Sequence, residues 1–356
     1  MNTFVPDYRN IVEAVRNRKT DRLCLYEHHI DYSKVASAIM KTDMTPPDAG
    51  SVEDWAGYYG KVCRFWKEMT YDTVSFESAI CDIIPGHGAI YGGKAGPIQN
   101  RSDFESYPWD AIPTLFWDAY GSRMEALKRV MPDGMKALGG CGYGVFEVSE
   151  DLVGFENLCV MMYDDPELFA DLYVRIGDLM VKLWSELLRR HGDLFAVCRM
   201  GDDMGFKAST LLPPEVLIQH VMPQLGRIVA LVHRAGKPFL WHSCGSIFPV
   251  MDAAIAAGID AKHSNEDQIA PFDVWIEKYS RRIALFGGID VNDLCLKNPQ
   301  EIFESVVEKG RRFRAAAAGF ALGSGNSIPD YVPVDGYLAM IEGVKKLRMD
   351  DRICKE

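Results

Sequence analysis

Two residues able to bind soft metals, His242 and Cys244, stand one residue apart at the end of an apolar run, KPFLWHSCGSI (237–247). Imidazole and thiolate are both good zinc ligands. Side chains two apart in a strand share a face, so the pair can meet one ion if the strand continues that far. Two ligands do not make a site. Glu266, 22 residues beyond Cys244 and past the next apolar run, is placed to add a carboxylate. Without a metal, the same groups would form a polar pocket suited to moving protons. On these residues alone both chemistries stay open.

Other apolar runs end in the same kind of residue. RLCLYE (22–27) leads into Glu27-His28-His29, TVSFE (73–77) ends in Glu77, and LFAVCRM (194–200) runs into Gly201-Asp202-Asp203. GIDAKHS (258–264) carries His263, followed by Asn265 and Glu266. RIALFGG (282–288) leads to Asp290, and GFALGS (319–324) ends in Ser324 with Asn326 beyond. Blander roles compete. Asp203 and Asp290 suit helix caps or turns about as well as chemistry, and Glu27 could pair with an arginine. His220 and His233 fall on a helical pattern and read as surface or packing residues. Cys24, Cys63, Cys81, Cys159, Cys198, Cys295 and Cys354 read as small hydrophobes or surface thiols. Cys141, in GGCGYG, is ambiguous because its glycines bring backbone close to whatever it faces.

With GVFEV (144–148) and PFLWHS (238–243), the apolar runs number eight. Amphipathic helical patterns separate several of them, at 164–192, 213–237 and 298–313, and another closes the chain at 333–347. Apolar strands alternating with such helices indicate a parallel sheet covered by helices. Eight of them give an α/β fold of the (β/α)8 TIM barrel type, expected as one domain over 1–356. Active sites of that fold lie at the C-terminal ends of the strands, where the polar residues fall. An open doubly wound sheet is less favoured, because no G-x-G-x-x-G follows the first strand. The long stretches 31–70 and 82–135 read as loop and helix insertions over the C-terminal mouth. Tyrosines and tryptophans of 91–120 would form part of a lid.

The composition, 48% hydrophobic and 25% charged, is that of an ordinary globular protein. A net charge of −11 argues against nucleic acid or an anionic membrane as a partner. No run of about 18 uncharged apolar residues occurs, so no membrane span is expected. The opening stretch has neither the apolar core nor the cleavage site of a secretory signal. Nine scattered cysteines without a C-x-x-C read as reduced thiols. A cytoplasmic location is expected.

HSCGSIFPVMDAAIAAGIDA, GGID, ALGSGNSIPDYVP and the preceding GDDMG…LLPPEV resemble the uroporphyrinogen decarboxylase superfamily, most strongly over 200–345. The resemblance implies a TIM barrel and one of two activities, tetrapyrrole decarboxylation or cobalamin- or zinc-dependent methyl transfer. Decarboxylases carry an arginine-rich segment after the first strand, an aspartate after the second and a histidine after the last. This chain has YEHHIDY, FESA and Ser324 there. An acidic mouth would also repel a substrate bearing eight carboxylates. The methyltransferase branch carries H-x-C plus a later cysteine, all on zinc. His242 and Cys244 match that pattern, Ser324 replaces the last thiolate, and Glu266 has the spacing of a glutamate ligand in a related synthase.

The resemblance therefore implies a small methylated donor and a corrinoid or thiol acceptor, with zinc held by His242, Cys244 and Glu266. Glu27, His28, His29, Glu77, Asp202 and Asp203 would position and protonate the substrate, and Asp290, Ser324, Asn326 and His263 would bind it. The corrinoid would arrive on a partner protein, since no D-x-H-x-x-G motif occurs here. A homodimer is plausible by the same resemblance. The alternatives are a metal-free lyase using Asp202, Asp203 and the histidines, and a non-catalytic tetrapyrrole-binding protein. The density of ionisable groups at the strand ends disfavours the second.

Overall fold

In the computed structural model, which describes residues 4–353, every apolar run but one lies in a strand close to its expected place. The strands are β1 (Cys24–Leu25), β2 (Thr73–Ala79), β3 (Lys136–Gly142), β4 (Phe195–Gly201), β5 (Phe239–His242), β6 (Ala261–His263), β7 (Ala284–Ile289) and β8 (Phe320–Ser324). Their order is β1-β8-β7-β6-β5-β4-β3-β2. With the intervening helices they make an α/β fold of the (β/α)8 TIM-barrel class. Among the described residues no helix is long and apolar enough to cross a membrane. Cys354 lies outside the described residues.

The exception is the third strand. The apolar pattern places it at 144–148, yet Val145–Val153 is a helix and KALGGCG is β3. The two valines and a phenylalanine of GVFEV favour strand by propensity, but tertiary context overrides it. The carboxylate of Asp202 accepts from the Phe146 and Glu147 amides at 3.0 Å, capping the helix from outside its own sequence. The glycines of β3 permit close packing that larger residues would block: a Cβ on Gly140 would lie 2.1 Å from the Trp184 ring.

The long connecting segments hold full helices. Val52–Glu68 starts from a Ser51/Asp54 capping box, and Ile112–Val130 follows the short helix Arg101–Ser106. These are the helices that follow β1 and β2 in the alternation, so 31–70 and 82–135 contain the repeat's own helices as well as irregular loops.

Two compact units divide the chain. The first comprises the stretch up to Ser75, Arg123–Leu138 and the part from Asp260 onward. In it β1 pairs with β8, β8 with β7 and β7 with β6, all parallel, over a core that includes Leu25, Leu285, Phe286 and Leu322. Helix Pro299–Ala316, opened by an Asn298/Glu301 capping box, belongs to this unit. The second unit, Phe76–Ser122 and Gly139–Ile259, holds the β4–β5 pair, with Gly201 opposite His242. Its longest helix, Pro166–His191, starts at the Asp165 cap and ends in Arg189, Arg190 and His191, where cations suit the helix dipole.

Candidate functional site

In the second unit, the loop after β4 meets the turn after β5 with backbone against backbone. A Cβ on Gly205 would fall 2.8 Å from the Cys244 carbonyl, and one on Gly245 would fall 2.1 Å from Gly205. Gly245 also has φ +79°, a conformation other residues rarely adopt. This approach brings Asp203 against the turn, where its Oδ1 accepts from the Cys244 amide at 2.8 Å.

Asp203, His242 and Cys244 thereby form a group able to hold a metal ion. Cys244 Sγ is 3.3 Å from His242 Nε2, and that nitrogen is 3.7 Å from Asp203 Oδ1. Bonds of about 2.0–2.3 Å from zinc place tetrahedral ligands roughly 3.3–3.8 Å apart, so the donor set and its spacing fit zinc. The His242 side chain is 6% exposed and that of Asp203 40%, which leaves one side of the group accessible. β5 stops at His242, so Cys244 is not placed by strand alternation as the spacing suggested; the Gly245 turn places it. Glu266 belongs to the first unit and heads a turn, its carbonyl accepting from the Ile269 and Ala270 amides. The carboxylate gathered with His242 and Cys244 is that of Asp203.

More acids surround this group. Asp202 is fully buried, and burial raises its carboxyl to about 7 against the opposing pull of the amides it caps. Glu147, on the capped helix, is pushed well above the usual range by burial and by the Asp203 and Asp202 carboxylates. Glu150, one turn further along, is raised to about 8, mainly by burial. Reading 144–148 as a strand conceals Glu147 and Glu150. The signal that could have found them is a helical start at Gly144 with glutamates three and six residues on. Glu77 is held by a cation: its Oε2 takes a 2.5 Å hydrogen bond from Arg199, whose side chain is 1% exposed, which makes it the counterion of a buried guanidinium.

The first unit gathers a second set. Glu27, 1% exposed, accepts from the Ser324 amide at 2.7 Å and from the Ser324 hydroxyl. Burial raises its carboxyl to about 8, against the pull of both Ser324 bonds. His263 Nε2 is 3.0 Å from the Ser324 carbonyl, and its ring stacks with that of His28, centroids 6.2 Å apart. Tyr26 OH lies 3.4 Å from His28 Nδ1 and its ring meets His263 edge-on. His29 is exposed and packs against Tyr32. Asp290 accepts from the Asn292 amide at 2.7 Å and from the Asp267 amide at 2.8 Å, so both its oxygens hold backbone. Asn326 is half-buried just past β8. Of the aromatics of 91–120, Trp109 and Tyr120 are buried, whereas Tyr91 is exposed and meets Tyr143 hydroxyl to hydroxyl at 2.9 Å.

The sequence profile of the uroporphyrinogen decarboxylase (URO-D) family matches residues 95–347. No curated protein is similar enough to the chain to count as a match. Among solved structures, a methyltransferase from Methanosarcina mazei superposes with a TM-score of 0.71 at 12% identity, covering 96% of this chain and 99% of that one. A glycoside hydrolase family 5 enzyme from Prevotella bryantii reaches a TM-score of 0.44 at 9% identity, with 96% and 99% covered.

Proposed function

The chain belongs to the uroporphyrinogen decarboxylase family, and from that premise we propose that it is a zinc-assisted methyltransferase. It moves a methyl group from a small methylated donor to or from a corrinoid or thiol acceptor. The observation that carries this reading is the Asp203–His242–Cys244 group, whose donor types and 3.3 and 3.7 Å spacings suit zinc. The likeness in fold to a methyltransferase supports it. We assign the carboxylate ligand to Asp203, in place of the Glu266 expected from spacing.

Zinc bound there would supply Lewis-acid activation of a heteroatom, or of a thiol. The chain's own residues do the rest. Asp203 is oriented by the Cys244 amide, and Asp202, capping Val145–Val153, fixes the helix that carries Glu147. As a neutral carboxylic acid, Glu147 can give a proton to a leaving oxygen or nitrogen. A corrinoid would come on a separate protein, and the enzyme would work in the cytoplasm.

The test uses the zinc-loaded protein with cob(I)alamin and a panel of methyl ethers, methylamines and methyl thioethers, then methylcobalamin with thiols in the reverse direction. Formation of methylcobalamin from one donor class, abolished by chelation and restored by zinc, is the expected result. The runner-up, a lyase working by metal-free acid–base chemistry, is favoured by the proton-holding carboxyls of Asp202 and Glu27. Turnover of a carboxylic acid that survives complete chelation would replace the methyltransferase reading with that one.

A further inference from the structure

A cavity of about 560 Å³ opens in the second unit, lined by the glycine-rich loop 89–95, by Glu150 and by the start of the next helix, Gly154–Asn157. That size falls within the range of small-molecule sites. Its walls are held in place. Asp151, fully buried, accepts from the Gly88 amide at 2.6 Å and the Ile90 amide at 3.1 Å, clasping the base of the loop. Further along, Tyr91 is tied to Tyr143 at 2.9 Å, and the Gly96 amide donates to the Val153 carbonyl at 3.3 Å.

The chemistry of the lining is one-sided. Phe155 leaves 38% of its surface exposed beside the cavity, and nothing lies within 4 Å of where a Cβ would stand on Gly92 or Gly93, so a flat group has room against bare backbone. The lining cation, Lys94, already donates to the Gly86 and His87 carbonyls. Glu150 and Glu156 bring carboxyl groups to the wall, and burial holds the Glu150 carboxyl up at about 8, so that above this pH both are charged. An anion would then meet repulsion here. An ammonium would meet carboxylates and an aromatic edge or face.

We propose that this cavity is a binding site for a small organic cation, an amine joined to a planar apolar group. Its planar part lies against Phe155 and the Gly92–Gly93 backbone, and its ammonium turns to Glu150. The assignment does not depend on the methyltransferase reading, because binding is measured directly and needs no turnover.

Three probes share one ring and differ in charge: benzylamine, benzyl alcohol and benzoate. Titration calorimetry with the full-length protein at about pH 8.5, where Glu150 is ionised and benzylamine still protonated, should show benzylamine binding about tenfold or more tighter than benzyl alcohol, with benzoate weakest. Glu150→Gln and the surface change Phe155→Ala should each weaken benzylamine about fivefold or more, with unchanged circular dichroism and zinc content. Benzoate binding as tightly as benzylamine would overturn the charge assignment, and so would three equal affinities. Benzylamine binding that ignores both variants would overturn the location.

Discussion

Exchange of Cys244 for serine, or of His242 for alanine, is expected to lower zinc affinity more than a hundredfold while leaving the fold intact. Each removes a whole ligand, and even outer-shell changes at zinc sites cost about 10–100-fold. Cys244 is half-buried in the turn past β5, so its exchange disturbs little packing, whereas His242 is buried at the end of β5 and the fold of its variant is checked by circular dichroism. Asp203→Asn tests the reassigned carboxylate. Its amide oxygen can still accept from the Cys244 amide, which donates to Asp203 Oδ1 at 2.8 Å in the native chain. The loop should therefore hold while charge and metal affinity fall, by about 10–100-fold. Cys159→Ser, a half-buried cysteine on the helix Phe155–Asp164, is the control and should retain zinc fully. Competition dialysis against a chelator, followed by metal analysis, reads these four variants and Glu266→Gln beside them. Equal retention of zinc by Asp203→Asn and loss in Glu266→Gln would return the carboxylate role to Glu266.

The second large effect is pH dependence of stability, and it comes from Glu27. Its carboxyl moves from 4.5 in the unfolded chain to about 8 in the fold, opposite to a salt-bridged carboxylate. Between those values the folded chain keeps a proton that the unfolded chain has lost. The contribution is therefore full below about pH 4.5, falls as pH rises, and is gone above about 8. At about 1.4 kcal/mol per pH unit, it amounts to roughly 5 kcal/mol across that window. Glutamine at this position keeps an oxygen for the Ser324 amide and cannot ionise. Urea unfolding from pH 5 to 9 should show the native protein losing stability relative to Glu27→Gln by several kcal/mol. Parallel curves for the two would contradict the assignment.

What the sequence made legible follows from the range of the forces involved. Strands such as PFLWHS and RIALFGG announce themselves because both faces are buried and the whole run is apolar. The helices 164–192 and 298–313 carry their own caps and dipole-matched ends, all local signals. GVFEV misleads because its fate is set by Asp202, more than fifty residues away, whose carboxylate caps the helix; propensity cannot see that partner. The H-x-C pair draws attention through strand periodicity, yet Cys244 is placed by a glycine turn and by Asp203. Glu266 looks right by spacing, while Asp203 reaches the pair through backbone contact between two loops, which spacing does not encode. Asp203 and Asp290 are open to both a capping and a chemical reading. The structure gives both carboxylates backbone amides to hold.

X-ray absorption at the zinc edge of the metal-loaded protein tests the assignment of zinc to Asp203, His242 and Cys244 most directly. One sulfur scatterer at about 2.3 Å is expected, with nitrogen or oxygen scatterers at about 2.0–2.2 Å and the sulfur lost in Cys244→Ser. A shell containing only nitrogen and oxygen in the native protein, or sulfur that persists in that variant, would contradict it.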